Sequence, residues 1–130
     1  MVGLVIVSHS DKIAEGIKDL AGQMANEVSI AAAGGTNDGR LGTDADKIFA
    51  AIKEVYSEDG VLILFDIGSA YMSADISLEC LQENMRAKVE ILDAALVEGA
   101  ITAAIECSLN KSLSEIKEEL KILSIAKMPQ

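Results

Sequence analysis

Apolar residues run almost without interruption from Val2 through Gly3, Leu4, Val5 and Ile6 to Val7, stop at Ser8-His9-Ser10-Asp11, and return at Ile13, Ile17, Leu20, Ala21 and Met24. The short continuous run predicts a buried strand, and the recurrence every three or four positions predicts an amphipathic helix capped by Ser10 or Asp11. The same alternation repeats along the chain. Residues 28–33 read as a second strand closed by Gly34-Gly35, and residues 36–41 as a polar, glycine-rich loop. Thr43 with Asp46 three residues later resembles a capping box, after which Ile48, Ile52, Val55 and Tyr56 mark one helical face. Residues 61–65 form the clearest buried strand, followed by Asp66-Ile67-Gly68-Ser69 and a third helix on Met72, Ile76, Cys80 and Leu81. Residues 88–92 fit a fourth strand, Asp93 a turn, and Val97, Ala100, Ile101 and Ala104 a fourth helix. Leu113, Ile116, Leu120 and Leu123 share one face of a C-terminal helix, and Pro129 is the only proline.

Strands that alternate with helices imply right-handed crossovers and an α/β fold: a doubly wound, mainly parallel sheet with helices on both faces. Parallel strands align their C-terminal ends. That rule gathers His9, Gly34-Gly35, Asp66 to Ser69 and Asp93 along one rim, where open α/β sheets collect ligands.

The chain has 130 residues, expected to form a single domain over residues 1–130, and half are hydrophobic while only 3% are aromatic, so small aliphatic side chains must fill the core. The formal charge of -10 excludes nucleic acid and anionic membrane as general partners and favours a basic protein surface instead. Cys80 and Cys107 lie in helical patterns, which reads as reduced core thiols instead of a disulfide or a metal site. No apolar run reaches membrane-spanning length, and the start lacks the basic region of a signal peptide, so a cytoplasmic location is expected.

The motifs exclude more chemistry than they supply. Gly34 and Gly39 have P-loop separation, but Arg40-Leu41 stands where a lysine and a hydroxyl residue are required, and neither a dinucleotide fingerprint nor a nucleophile elbow is present. The rim keeps one imidazole, His9, and one carboxylate on a neighbouring strand end, Asp66. Such a carboxylate can fix the ring tautomer, leaving the other nitrogen to attack an electrophile. Amides near Gly35, Gly42 and Ser69, with the Thr43 and Ser69 hydroxyls, can receive an anion on that nitrogen, and a phosphoryl group fits best. Each residue also has a plainer reading. His9 suits a surface position, Asp66, Thr43 and Ser69 suit helix caps, Gly34, Gly35 and Gly68 suit tight turns, Arg40 suits a solvated loop, and Asp93 carries no assigned role.

Four segments taken together resemble a known family: Val5-Ile6-Val7-Ser8-His9-Ser10, Gly42-Thr43-Asp44, residues 61–70 with Asp66-Ile67-Gly68-Ser69-Ala70 at their end, and Val97-Glu98-Gly99-Ala100. They are similar, in the same order, to the phosphotransferase subunits of bacterial dihydroxyacetone kinases, the DhaM family, which in turn resembles the mannose-type IIA domains of sugar phosphotransferase systems. The resemblance implies a doubly wound homodimer in which His9 takes phosphate from the carrier HPr, itself charged by enzyme I from phosphoenolpyruvate. It implies delivery to ADP on the nucleotide-binding kinase subunit, DhaL. It also implies that Asp66 orients His9, that Gly42, Thr43, Gly68 and Ser69 line a phosphate pocket with Gly35 beside them, and that the chain binds no cofactor or metal, nucleotide and magnesium belonging to the kinase subunit. Longer members add HPr-like and enzyme I-like domains, so a chain of this length is expected to use separate carriers.

The mannose-type sugar transporters continue after the central aspartate through a Gly-Gly-Ser-Pro-like turn, whereas here Gly68-Ser69-Ala70 follows Ile67. That difference favours the kinase subunit over a transporter IIA component. A histidine-nucleophile phosphatase would carry arginine before the histidine, where this chain has Ser8. A non-catalytic α/β binding module, with His9 incidental, is the remaining alternative.

Overall fold

The computed structural model describes residues 1–128, which leaves Pro129 outside the described residues. Four strands, β1 (Gly3–Ser8), β2 (Ile30–Gly34), β3 (Val61–Phe65) and β4 (Val89–Leu92), form one sheet in the order β2-β1-β3-β4. All pairs are parallel, with Leu4 opposite both Ile30 and Leu62, and Ile63 opposite Ile91. The helices are α1 (Asp11–Met24), α2 (Ala45–Val55), α3 (Gly68–Glu79), α4 (Glu83–Arg86), α5 (Leu96–Ser108) and α6 (Leu113–Leu120). A 3-10 turn over Lys121–Leu123 follows α6.

Every residue of β1 and β3 is buried, because helices cover both faces. The period of two divides those strands between two cores. Leu4, Ile6, Leu62 and Leu64 pack with Ala14, Ile17 and Ala21 of α1, Ala100, Ala103, Ala104 and Cys107 of α5, and Ile116 and Leu120 of α6. Val5, Val7, Ile63 and Phe65 pack on the other face with Ile48, Ala51, Ile52 and Val55 of α2 and Ala70 and Ala74 of α3. Alanine dominates the helix faces, which brings helices close to the sheet in place of large rings.

Chain order reverses between β1 and β3. The β1 crossover leads outward to β2, and the next crossover returns past β1 to β3, so a crevice opens above the C-terminal ends of these two central strands. His9 follows β1 and Asp66 follows β3, one on each side of the crevice.

Several local expectations need correction. The second strand begins at Ile30, two residues later than the apolar run suggests. Thr43 does not cap α2. Asp44 does, accepting from the Asp46 amide at 2.8 Å and the Lys47 amide at 3.4 Å. Ser69 does not cap α3 either, since Ile67 occupies that position without a side-chain bond and Ser69 lies inside the first turn. The third helix turns a different face inward: Ala70, Ala74 and Ser77 are buried, while Met72 and Ile76 are 62% and 54% exposed. Small residues win because α3 packs tightly against α2 and the sheet, with no room for the larger side chains. Helix α1 buries Ala14, Ile17 and Ala21 and leaves Ile13, Leu20 and Met24 largely outside. Cys80, expected in the core, is exposed, whereas Cys107 is buried. The short helix α4 has too few residues to show a period, so no sequence pattern announces it.

Candidate functional site

The first strand ends in Ser8, which is fully buried, and hands over to His9 before Ser10 opens α1 by accepting from the Ile13 amide. Nothing in a helical or strand pattern holds an imidazole there. Asp66 holds it. Its Oδ2 accepts from the His9 amide at 2.8 Å and from the Ser8 hydroxyl at 3.0 Å, and its Oδ1 lies 3.0 Å from His9 Nδ1 and accepts from the Ile67 amide at 2.7 Å. Burial pushes the Asp66 carboxyl up, yet these bonds to the charged form prevail and hold it below the ordinary carboxylate value.

A carboxylate accepts only, so the facing Nδ1 carries a proton, and in the neutral ring Nε2 keeps its lone pair. Nε2 lies 2.8 Å from the hydroxyl of Ser69, which in this tautomer donates to it. The His9 side chain is 28% accessible, against 19% for Asp66. The Nε2 edge of the ring therefore faces the surface and its Asp66-bonded edge faces inward.

Helix α3 begins directly beneath Nε2. As the first two residues of that helix, Gly68 and Ser69 have N–H groups without an acceptor inside it, and the helix dipole adds partial positive charge. Gly68 and Ser69, both expected near the histidine, thus lie in the helix turn whose Ser69 hydroxyl meets Nε2. Gly35 and Gly42 are placed differently. The Gly35 amide donates to the Ser8 carbonyl at 3.2 Å and the Gly42 amide to the His9 carbonyl at 2.8 Å, so both fix the backbone that carries His9 and have no proton left for an anion. Both have positive φ, 70° and 138°, which glycine alone adopts readily. Thr43 Oγ1 is bonded to Ser73 Oγ at 2.6 Å, which ties the loop before α2 to α3.

Ser8, Ser73 and Lys127 take part in or around this arrangement without being candidates from sequence, and Asp93 gains a role there that its turn position does not suggest. Ser8 is legible as a polar residue ending an apolar strand; the other three carry no local signal. Asp93 holds the C-terminal segment by accepting from Ser124 Oγ, and Lys127 reaches the end of β3. Arg40 pairs with Asp38 at 2.8 Å on the exposed loop, as the plain reading of a solvated charge has it. Among the described residues, no group of three or more His, Cys, Asp or Glu side chains is placed to hold a metal ion, and no helix is long and apolar enough to cross a membrane.

Residues 3–117 match the family model EIIA-man, described as the PTS system fructose IIA component. Over 121 residues the chain is 44% identical to the phosphoryl donor subunit DhaM of PEP-dependent dihydroxyacetone kinase 2 from Listeria innocua, covering 92% of this chain and 97% of that protein. It is 41% identical over 120 residues to the phosphoryl donor subunit DhaM of the Escherichia coli PEP-dependent dihydroxyacetone kinase, covering 89% of this chain but only 25% of that longer protein. The fold is also that of a crystal structure of EF1359, a protein of unknown function, with a TM-score of 0.83, 38% identity and 93% of both chains covered. A parallel four-stranded sheet with His9 and Asp66 across its switch point and this set of relatives lead to one assignment: the chain belongs to the EIIA-man family, among the DhaM phosphoryl donor subunits.

Proposed function

We propose that the chain is the phosphoryl-carrier subunit of a PEP-dependent dihydroxyacetone kinase and that His9 Nε2 is the atom that carries the phosphate. The observation that supports this most directly is the asymmetric clamp on the ring: Asp66 engages Nδ1 at 3.0 Å while Nε2 meets only a hydroxyl at the accessible edge. The donor in this reading is phospho-HPr. As HPr docks, the Ser69 hydroxyl leaves Nε2, whose lone pair attacks phosphorus; the Nε2–P bond forms, the donor N–P bond breaks, and its electron pair returns to the HPr imidazole. The Nδ1 proton stays where it is, and the Asp66 carboxylate stabilises the positive charge that the ring acquires. The Ser69 hydroxyl and the Gly68 and Ser69 amides then receive the phosphoryl oxygens.

Delivery reverses these steps. An oxygen of the ADP β-phosphate, held with magnesium on the kinase subunit DhaL, attacks phosphorus, the Nε2–P bond breaks and the ring returns to its starting tautomer. The carrier itself needs no nucleotide or metal in this scheme, because positioning and charge stabilisation suffice. A ring edge open to the surface suits two successive protein partners better than a closed pocket would. A homodimer and a cytoplasmic location belong to the same reading, supported by the family resemblance and the cytoplasmic chemistry of its donors.

Phosphoenolpyruvate, enzyme I and HPr should place an acid-labile phosphate on the wild-type protein and none on His9→Ala, and ADP-loaded DhaL should discharge it. Labelling of His9→Ala at the wild-type level would remove His9 from the mechanism. Failure to charge DhaL, with rapid transfer to a sugar-transport IIB protein, would make the chain a transporter component instead.

A further inference from the structure

Residues 124–128 lie outside the sheet but are bound to the turn that presents Asp66. At the end of the 3-10 turn, the Leu123 carbonyl accepts from the Ala95 amide at 2.8 Å. Asp93, one residue past β4, then accepts from Ser124 Oγ at 2.9 Å, the Ile125 amide at 3.4 Å and the Lys127 amide at 3.1 Å. Ala126 sits between them at φ 58°, a conformation that a non-glycine residue keeps only where its surroundings dictate it. Met128 packs against the core that contains Phe65. The Lys127 carbonyl comes so close to Gly68 that an added Cβ there would lie 3.1 Å from it.

The Lys127 side chain completes the strap. Its Nζ donates to the Phe65 carbonyl at 2.5 Å and the Asp66 carbonyl at 2.9 Å, and lies 5.0 Å from the centroid of the Phe65 ring. The β3–β4 ladder ends with Leu64 opposite Leu92, so these two carbonyls lie beyond the last β4 partner, and the ammonium supplies a donor to each. Burial pulls the Lys127 pKa down, opposed by the carboxylates of Asp93 and Asp66. A half-buried ammonium is a costly way to satisfy two carbonyls unless the charge also serves.

We propose that Lys127 is a positioning residue for phosphoryl transfer: by pinning the Phe65 and Asp66 carbonyls it fixes the turn from which the Asp66 carboxylate reaches Nδ1 and the Ser69 hydroxyl reaches Nε2. The proposal rests on His9 being the phosphoryl acceptor. Asp93 acts at one remove, as the buckle that brings Lys127 to the turn. Loss of either frees the 66–69 turn, and the ring samples both tautomers instead of one.

The test uses Lys127→Met, Lys127→Gln as a second variant in case the first does not fold, Lys127→Arg as the conservative replacement, and Asp93→Ala alone and with Lys127→Met. Two quantities are measured: the rate of His9 phosphorylation over a range of phospho-HPr concentrations, and the ¹⁵N shifts of the His9 ring in the unphosphorylated protein. Lys127→Met or Lys127→Gln is expected to slow transfer roughly tenfold, with little change in the HPr concentration needed for half saturation, and to move both ring shifts toward a tautomer average. Lys127→Arg restores most of the rate and the shifts. Asp93→Ala reproduces the loss, and the double variant is no worse than Lys127→Met, because both break one strap. Wild-type shifts in Lys127→Met, or equal losses in Lys127→Met and Lys127→Arg with shifts unchanged, would overturn the proposal. The ring shifts need no phosphate, so they decide the role of Lys127 even if the wild-type protein takes no label, an outcome that would count against His9 as acceptor and not against the strap.

Discussion

Asp66 holds His9 at two atoms, through Oδ2 on the backbone amide at 2.8 Å and through Oδ1 on ring Nδ1 at 3.0 Å. One carboxylate thereby sets both where the residue sits and which ring nitrogen bears the proton. Asp66→Asn separates these effects. An asparagine keeps one acceptor oxygen, which can serve the amide, but it then turns an NH2 group toward Nδ1 and favours the tautomer with the proton on Nε2. The lone pair is then on the wrong atom, so His9 phosphorylation should fall by about 10²-fold or more. Quench-flow labelling from phospho-HPr measures the rate, and ¹⁵N shifts of the ring report the tautomer. A variant that transfers normally with the proton moved to Nε2 would contradict the clamp.

The same carboxylate makes stability depend on pH in a defined direction. The Asp66 pKa is lowered from its ordinary 3.8, so the unfolded chain takes up a proton at higher pH than the folded one. Its stabilising contribution is therefore complete above pH of about 4 and is lost as pH falls through the depressed folded value. Asp93 is shifted in the same direction, with burial opposing its bonds from the Ser124 hydroxyl and the tail amides. Urea unfolding between pH 6 and pH 2 should show Asp66→Asn less stable than wild type at pH 6 by about 1 to 3 kcal/mol, with the two curves converging in acid. Parallel curves would mean that Asp66 does not titrate differently on folding.

How far such a site can be read in advance depends on whether its parts are local. The strands β1 and β3 show themselves as apolar runs, and parallel pairing then puts His9 and Asp66 at one edge, so the central pair is legible although the residues are 57 positions apart. Gly35 is legible as a turn glycine, but neither for it nor for Gly42 does the sequence show where the amide points. The inward face of α3 is misread from sequence because hydrophobicity favours Met72 and Ile76, whereas close packing on α2 selects Ala70 and Ala74. The strap of Lys127 and Asp93 is not legible at all. Their relation depends on a bend at Ala126 and on β4 being shorter than β3, neither of which leaves a pattern in the sequence.

The two cysteines give a direct check on the packing of α3 and α5. Cys107 is buried in α5, and burial, helped by the charge of Glu106, pushes its thiol up to about 11. At pH 8 its thiolate fraction is on the order of 10⁻³, and a reagent in solution has no path to it. Cys80 is exposed at the end of α3. Ellman's reagent should therefore titrate one thiol per chain in the native protein and a second only on unfolding. Two thiols reacting at equal rates in the native protein would show that α5 does not bury Cys107.

Gly34 offers a test of why a glycine stands next to the start of α1. It ends β2 with an ordinary strand conformation, so flexibility is not the reason. Space is. A Cβ at Gly34 would lie 2.5 Å from the Ser10 carbonyl, 2.8 Å from Ala14 Cβ and 2.8 Å from Asp11 Cα. Two of these three atoms are backbone, and they belong to the first turn of α1 directly after His9, so relief requires moving the helix and with it the histidine. Gly34→Ala should cost about 1 to 3 kcal/mol by overpacking, and it should slow His9 phosphorylation. Gly16 is exposed inside the same helix, and a Cβ added there would meet nothing within 4 Å, so Gly16→Ala should instead stabilise by about 0.5 to 1 kcal/mol and leave phosphorylation unchanged. Chemical denaturation and labelling of both variants give opposite signs if close approach fixes Gly34, and the same sign if the first turn of α1 leaves room for a Cβ there.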